Sequence, residues 1–241
     1  MSTIFLLARR ELVAYLNTSW GVIILAGALL INGLLFNVWA LGDVAKYSSE
    51  VLEKFFEHSS GVVMITGVLL TMRLIAEERQ QGTMTLLSTA PISSAQIVTG
   101  KFLGAFTFLA LIIALTIYMP VLVLVNGKVS WGHVGAGYLG LLAIGSAAVA
   151  IGTLGSAMAK NQLLAAVLGG VILVLFILGW LGARTTEPPI SDVMAYAAIW
   201  DRHFQPFMRG RINTESLVYY STLTFAPLML ATRILQSRRL S

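Results

Sequence analysis

Long apolar runs alternate with short charged segments along the whole chain. A bilayer core about 30 Å thick is crossed by roughly 20 apolar residues in a helix, so each charge-free run of that length predicts a membrane span. The weakest run ends at Arg73, whose long side chain can reach the interface from the end of a span. The six predicted spans lie at about 20–42, 58–75, 98–126, 131–159, 162–183 and 215–234. The pattern therefore predicts an all-α polytopic membrane protein, with a single transmembrane domain over residues 1–241.

Composition supports this class and excludes several others. Hydrophobic residues make up 57% of the 241 residues and charged residues only 11%, whereas a soluble domain carries roughly a quarter charged residues. An ordinary cytosolic enzyme, a disordered chain and a nucleic-acid-binding module are therefore excluded. Cysteine is absent, which removes disulfides, thiolate metal sites and cysteine nucleophiles.

The distribution of basic residues predicts the orientation of the chain. With an even number of spans, both termini lie on the same side of the membrane. Nine of the sixteen Lys and Arg residues fall on the predicted inner side, including Arg9, Arg10, Arg233, Arg238 and Arg239. This modest positive-inside bias predicts a multi-pass protein of the inner (plasma) membrane with both termini in the cytoplasm.

The residues before the first span have helical periodicity. Phe5, Ala8, Leu12, Tyr15 and Leu16 recur at helical spacing, and the charges lie largely off this stripe. The pattern predicts an amphipathic helix in the inner membrane interface. The alternative is that this segment is only the frayed start of the first span.

Small residues and prolines predict how the spans pack. Pro120 and Pro227 should bend or loosen the third and sixth spans. Rows of small residues let helix backbones approach closely in lipid, and they predict packing faces. Such rows occur at the start of the third span and along the fourth, at Gly100, Gly104, Ala136, Gly140, Ala148, Gly152 and Ser156.

The predicted spans lack catalytic and energy-coupling groups. No Asp, Glu, Lys or Arg lies well inside a span, so a proton relay or a voltage sensor has no candidate residues. There is no intramembrane protease motif and no phosphate-binding loop, since Gly100-Lys101 is followed by Phe102. Asp201 and His203 are too few ligands for a metal site. We expect that the chain is not an enzyme, binds no cofactor itself, and takes any energy for transport from another subunit.

The connection between the second and third spans is rich in turn signals. Gly82 can end a helical extension of the second span, and Thr83 can cap a short helix over residues 84–89. The apolar side of that helix carries Met84, Leu86 and Leu87.

A second set of signals follows this short helix. Pro91 ends the helix, Ser93 and Gln96 form a capping box, and Ile92 and Ile97 have the spacing of a hydrophobic staple. The segment is therefore predicted to be a stiff amphipathic helix at the inner surface. Its role is either that of a bare interfacial helix or that of a docking element for a partner.

This region resembles the signature of type-2 ABC transporter permeases. The likeness rests on Glu-Glu-Arg-Gln-Gln-Gly-Thr at 77–83, Ala-Pro-Ile-Ser at 90–93 and Gly-Lys-Phe-Leu-Gly-Ala at 100–105. More narrowly, the chain resembles the gliding-motility-associated permease subunit, through Arg-Glu-Leu at 10–12 and Ser-Leu-Val-Tyr-Tyr at 216–220. It departs from that subfamily at Thr18-Ser19, where a proline is expected after the serine.

The resemblance implies the permease subunit of an ATP-binding-cassette exporter. It implies a dimer with a second copy or a homologous permease, and two cytoplasmic ATPase subunits that bind ATP and Mg. The short helix would be the coupling helix, and the N-terminal helix would also touch the ATPase. The implied coupling residues are Glu77, Glu78, Gly82, Thr83, Met84, Leu86, Leu87, Pro91 and Ser93, with Arg10, Glu11 and Tyr15 on the N-terminal helix.

Other partners and functions stay open at the level of sequence. The bilayer is an expected partner and nucleic acid is not, while a periplasmic or envelope accessory protein is compatible with the resemblance. The alternative function is a non-transporting anchor or scaffold for a cell-envelope or motility complex.

The largest predicted outer segment is residues 184–215. Pro188-Pro189 predicts an extended opening, and the apolar spacing over residues 193–204 predicts a helix at the outer interface. In the resembled family this region covers the outer end of the pathway and could act as a gate. The other interpretation is an aromatic interfacial belt.

Overall fold

The computed structural model describes residues 3–42, 46–83, 92–127 and 129–238, and every regular element in these ranges is helical. In chain order the elements are α1 (Thr3–Asn17), α2 (Ser19–Leu35, continued by a π-helical segment Phe36–Leu41), α3 (Ser48–Thr71), α4 (Ala76–Gln80), α5 (Ser94–Leu115), α6 (Tyr118–Asn126), α7 (Trp131–Met158), α8 (Gln162–Ile177), α9 (Gly179–Thr185), α10 (Ile190–Ala197), α11 (Gln205–Met208) and α12 (Thr214–Ser237). The all-α prediction is confirmed over the described residues.

Contacts between distant segments define two ends of the helical bundle. At one end, here called the α1 end, Glu78 is ion-paired with Arg10 of α1. At the same end, Arg79 and Arg238 both donate to backbone carbonyls in the last turn of α7. At the opposite end, residues 198–211 contact the first halves of α3 and α7. The first helix of the chain and the last turn of α12 therefore lie at the same end.

Four helical segments are long and apolar enough to cross a membrane, namely Ser19–Leu41, Ser48–Gln80, Ser94–Val125 and Trp131–Met158. The pair α8 and α9 makes a fifth if the two helices, bent by 43°, count as one span. Among the described residues α12 does not qualify, although it also runs from the opposite end to the α1 end. Four or five spans follow from length and composition, and the sixth span stays a prediction.

α7 is buried along most of its length and forms the centre of the bundle. Gly152, which belongs to its predicted row of small residues, packs closely against Thr71 of α3, and Gly155, which lies outside that row, packs against Gly169 of α8. A Cβ atom at Gly155 would lie 2.6 Å from the backbone nitrogen of Gly169. Because helices approach this closely only where side chains are small, the packing predicted for the fourth span is confirmed at Gly152.

α3 begins at Ser48, before residue 58, where the second span is predicted to start. Three charged residues in the added turns form ion pairs, Lys54 with Glu57 at 2.7 Å and Glu53 with Arg209 at 3.1 Å. Charge-free runs do not reveal the start of such a helix, because its charged residues lie on one face while the apolar residues of the other face pack against the bundle. The buried residues of these turns are Val51, Leu52, Phe55 and Phe56.

The third predicted span is divided between α5 and α6. Pro120 lies in the first turn of α6, and a proline ring clashes with the carbonyl four residues earlier, here that of Thr116. Thr116 is the C-cap residue of α5, which ends at Leu115. Pro227, by contrast, lies inside the continuous helix α12. The predicted loosening therefore occurs at Pro120, while Pro227 does not interrupt its helix.

The predicted outer segment folds differently from the extended opening and single helix that we expected. Pro189 has φ −89° and ψ −4°, so the chain turns there and enters α10 directly. α10 ends at Ala197, where the Tyr219 hydroxyl donates to the Ala197 carbonyl and the Tyr220 hydroxyl to the Ile199 carbonyl, each at 2.7 Å. Because tyrosine hydroxyls of α12 donate hydrogen bonds to these carbonyls, α10 does not continue to residue 204.

His203 lies in an aromatic cluster beneath this segment. The residue is fully buried, its ring stacks on Tyr219 with a centroid separation of 3.8 Å, and its Nε2 atom is 3.0 Å from the Tyr196 carbonyl oxygen. Burial lowers the pKa of His203. The imidazole therefore helps to pack α10 and the following turn against α12.

Candidate functional site

α1 packs against the first turns of α5 through two glycines. A Cβ atom at Gly104 would lie 2.6 Å from the Cβ atom of Glu11 and 2.8 Å from the Ala8 carbonyl oxygen. A Cβ atom at Gly100 would lie 2.7 Å from the Cβ atom of Leu7. The pair of small residues predicted at the start of the third span therefore packs against the N-terminal helix.

The buried face of α1 differs from the predicted apolar stripe. Tyr15 of that stripe is buried, but Phe5 and Leu16 are 53% and 47% exposed. Leu7 is buried and Glu11 is partly buried, so the packed face includes a charged residue. The helix is oriented by the glycine face of α5, which requires close backbone contact, rather than by apolar periodicity alone.

Four charged residues from three segments meet beside this glycine contact, and we call them the charged frame: Arg10, Glu11, Glu78 and Lys101. The Lys101 Nζ atom is 2.7 Å from Glu11 Oε1 and 2.9 Å from Glu78 Oε1. The Arg10 Nη2 atom is 3.1 Å from Glu78 Oε1. The frame therefore joins α1, α4 and α5 with two acids and two bases.

Lys101 is the buried member of the frame. Its side chain is 2% exposed, and those of Glu11 and Glu78 are 13% and 14% exposed. A charge is stable at this depth only when it is paired and hydrogen-bonded. Sequence reasoning did not identify Lys101 as a site residue. Its position beside Gly100 was a usable signal, because a lysine next to a close helix–helix contact is buried and needs carboxylates nearby.

Tyr15 connects α1 to two further helices. Its hydroxyl donates to the Leu70 carbonyl of α3 at 2.7 Å, and its ring stacks on Phe108 of α5 with a centroid separation of 5.1 Å. Burial raises the pKa of the Tyr15 phenol, so the hydroxyl stays protonated and can donate. Of the three residues predicted on the N-terminal helix, Arg10 and Glu11 belong to the charged frame and Tyr15 lies beside it.

Glu77 and Glu78 face basic residues of their own chain. Arg73 contacts both carboxylate oxygens of Glu77, at 2.6 and 2.7 Å, and the geometry is bidentate. Glu78 faces Lys101 and Arg10. The resemblance implies that both acids face an ATPase or its basic residues, and this stays a prediction; within the chain each acid forms an ion pair.

The last turn of α7 fixes the turn that leads into α4. The Ser156 Oγ atom accepts from the backbone amides of Ile75 at 3.0 Å and Ala76 at 3.1 Å. Arg79 donates to the carbonyls of Ala157 and Ala159 at the end of α7. Carbonyls at a helix C-terminus have no partner within the helix and attract cations, so both helix ends are satisfied.

We expect Ser156→Ala to destabilise the protein by about 1–3 kcal/mol, because two buried amides lose their acceptor. The free energy of unfolding in detergent micelles measures the effect. Ser221→Ala is the matched control, since Ser221 is exposed on α12 and such surface changes stay within about 0.5 kcal/mol. Equal stability of the two variants would show that the Ser156 contact is not maintained in the folded protein.

The ends of the predicted coupling segment follow the sequence expectation in two places. Gly82 has φ +72° directly after α4, so it ends the helical extension as predicted. Ser93 caps α5 with the predicted capping box, accepting from the Gln96 amide at 3.2 Å and donating its own amide to Gln96 Oε1 at 3.0 Å. Thr83 was predicted to cap the short helix, and its hydroxyl donates to the Glu78 carbonyl at 3.2 Å.

Residues 84–91 lie outside the described residues, and with them the predicted coupling residues Met84, Leu86, Leu87 and Pro91. The flanking elements are described, and they are connected to each other. α4 precedes the segment and carries Glu78, while α5 follows it and carries Lys101. The ion pair between these two residues therefore ties the elements on both sides of residues 84–91 to one charged frame.

A bundle of long apolar helices, with charged clusters at its ends, defines a multi-pass membrane protein. A family model described as "ABC-2 family transporter protein" matches residues 60–208, which is more than half of the chain. The chain therefore belongs to the ABC-2 transporter family, whose members are membrane permease components without an ATPase site of their own. No curated protein matched the chain.

The matched range bears on the site in a specific way. It contains α4, residues 84–91 and Lys101, but it begins after α1 and ends before α12. Membership in this family implies, in general, a cytoplasmic ATPase partner and dimerisation. The narrower resemblance to the gliding-motility-associated subunit draws on residues outside the match and stays a hypothesis.

Proposed function

We propose that this protein couples ATP hydrolysis by a partner ATPase to the export of a substrate across the inner membrane. The observation that carries the proposal is the charged frame, which links the elements on both sides of residues 84–91 to each other and to α1. A force applied to residues 84–91 would be transmitted through α4 and α5 instead of being absorbed by a loose loop. ATP and Mg would be bound by the ATPase, and this chain would supply the docking segment.

The route from the docking segment to the membrane helices is short. α4 is held to α7 by Ser156 and Arg79, and α5 belongs to a segment that is long and apolar enough to cross a membrane. Such a linkage can favour one of two helix arrangements when the ATPase changes state, which is the requirement for a driven conformational change. The charged frame is thus the proposed point at which motion of the ATPase reaches the membrane helices.

Orientation and assembly complete the proposal. The α1 end would face the cytoplasm, which is supported by the basic residues that both α1 and the end of α12 carry there. A second copy or a homologous permease would form the other half of the pathway. The scaffold alternative shares this fold, and no described contact favours it over transport.

Leu87→Asp tests the coupling role. The native chain and the variant are each reconstituted in vesicles with the partner ATPase, and the increase in ATP hydrolysis on complex formation is measured. We expect this increase to be at least about tenfold smaller in the variant than in the native chain, because a charge on the apolar docking face must be desolvated on contact. Deleting residues 84–89 should abolish the increase.

Gln80→Asp is the matched control, because it adds the same charge at an exposed position on the last turn of α4. It should leave ATP hydrolysis unchanged. Full stimulation of the ATPase by both Leu87→Asp and the deletion would refute the docking role. Binding of the ATPase without any stimulation by the native chain would favour the scaffold alternative.

A further inference from the structure

A cleft of about 630 Å³ separates the first turns of α5 from the last turns of α12. Phe102 and Leu103 of α5 form one wall, and Phe225 and Met229 of α12 form the other. The volume lies within the roughly 300–1,000 Å³ of typical small-molecule sites. The cleft is distinct from the charged frame, and the proposed function does not use it.

The cleft changes from apolar to polar along α12. Phe225, Met229 and Arg233 follow one another at four-residue intervals, so they lie on one helix face, and Gln236 continues it. Phe225 and Arg233 are about 12 Å apart along the helix axis. The site therefore presents an apolar groove that ends in a guanidinium and an amide at the α1 end of the bundle.

Arg233 is exposed and has no ion pair with any residue that the structure describes. Two other basic side chains at the α1 end are engaged, since Lys101 pairs with two carboxylates and Arg79 with carbonyls of α7. An exposed guanidinium at the mouth of an apolar groove is suited to a phosphate group, which it can bind through two parallel hydrogen bonds.

The apolar part of the cleft opens to the side of the bundle. Phe225 and Met229 are 67% and 65% exposed, on a helix that lies beside a membrane-crossing segment. We propose that this cleft binds one anionic phospholipid, with an acyl chain against Phe225 and Met229 and its phosphate on Arg233. A soluble phosphate compound would leave the apolar wall uncovered, and a zwitterionic lipid would leave the net positive charge of Arg233 without a counterpart.

The test compares two lipids bound to the full-length protein in detergent. Phosphatidylglycerol and phosphatidylcholine with identical acyl chains are titrated separately, and bound lipid is counted by native mass spectrometry. We expect one phosphatidylglycerol per chain, held at least about tenfold more tightly than phosphatidylcholine. Arg233→Gln should reduce this preference to near equality, while Arg233→Lys should keep most of it.

Two further variants distinguish lipid binding in the groove from attraction of the lipid by general surface charge. Met229→Trp should lower the affinity for both lipids, since the larger ring fills the groove. Arg9→Gln removes a charge from an exposed position of α1 and should change neither affinity. Equal binding of the two lipids by the native protein, an unchanged preference in Arg233→Gln, or displacement of the bound lipid by millimolar inorganic phosphate would each overturn the proposal.

Discussion

Replacing Lys101 with methionine is expected to lower the free energy of unfolding by about 3–5 kcal/mol, the range for breaking a buried ion pair from one side. The variant keeps the length of the apolar stem and loses only the ammonium group. Glu11 and Glu78 are then left close together with only the exposed Arg10 as a basic partner among the described residues, and with little access to water, since their side chains are 13% and 14% exposed. Mutual repulsion and poor solvation of these carboxylates both favour unfolding.

The same variant should also lose stimulation of the partner ATPase. Without Lys101, no ion pair joins α4 directly to α5, so motion of residues 84–91 is no longer passed to both elements together. The two effects are measured separately, by denaturant unfolding in mixed micelles and by ATP hydrolysis of the reconstituted complex. A stable Lys101→Met protein with full stimulation would show that the charged frame is dispensable.

Two control variants show whether the stability lost in Lys101→Met comes from leaving buried carboxylates unpaired or only from losing an ion-pair contact. Arg10→Met removes the other base of the frame, but Arg10 is 59% exposed, and an exposed pair contributes at most about 1 kcal/mol. The triple variant Glu11→Gln, Glu78→Gln and Lys101→Met removes the buried Lys101 charge and both partly buried carboxylates at once. It should recover most of the stability lost in the single variant, because no buried carboxylate is left without a partner.

Gly104→Leu is expected to displace α1 from α5 and to destabilise the protein by about 1–3 kcal/mol, as overpacked contacts do. Even a Cβ atom at this position would lie 2.6 Å from the Cβ atom of Glu11 and 2.8 Å from the carbonyl oxygen of Ala8. The neighbouring atoms belong to a helix backbone and to the base of a side chain, so they cannot move aside individually. The whole helix must shift, and Glu11 moves away from Lys101 with it.

The displacement can be measured directly because the chain contains no cysteine. Spin labels on cysteines introduced at Phe5 of α1 and Thr107 of α5, both exposed, report the distance between the helices. Gly104→Leu should give a longer and broader distance distribution than the native sequence. Gly170→Leu is the matched control, since a Cβ atom there would have no neighbour within 4 Å. If both variants gave the native distribution, the close approach of α1 and α5 would be wrong.

Part of this site could be predicted from the sequence. The capping box at Ser93 and the helix break at Gly82 depend on residues within a few positions, so local patterns were enough to predict both. Glu78 and Glu11 were selected through the family resemblance, but their partner was not. Glu11 and Lys101 are 90 positions apart and Arg10 and Glu78 are 68 apart, and no local pattern carries information about such pairs.

The sequence by itself determined that this is a helical membrane protein. The bilayer requires long apolar segments whose backbone groups are hydrogen-bonded within the segment, and such segments can be recognised from the order of residues alone. It also determined the small residues that form the face of α7. Only the tertiary structure decided that α3 begins at Ser48, that α10 ends at Ala197 and that Lys101 is buried. In each case a distant residue supplies the partner, whether Arg209 for Glu53, Tyr219 for the Ala197 carbonyl, or Glu11 for Lys101. The energies that fix these features arise only once the helices are packed together.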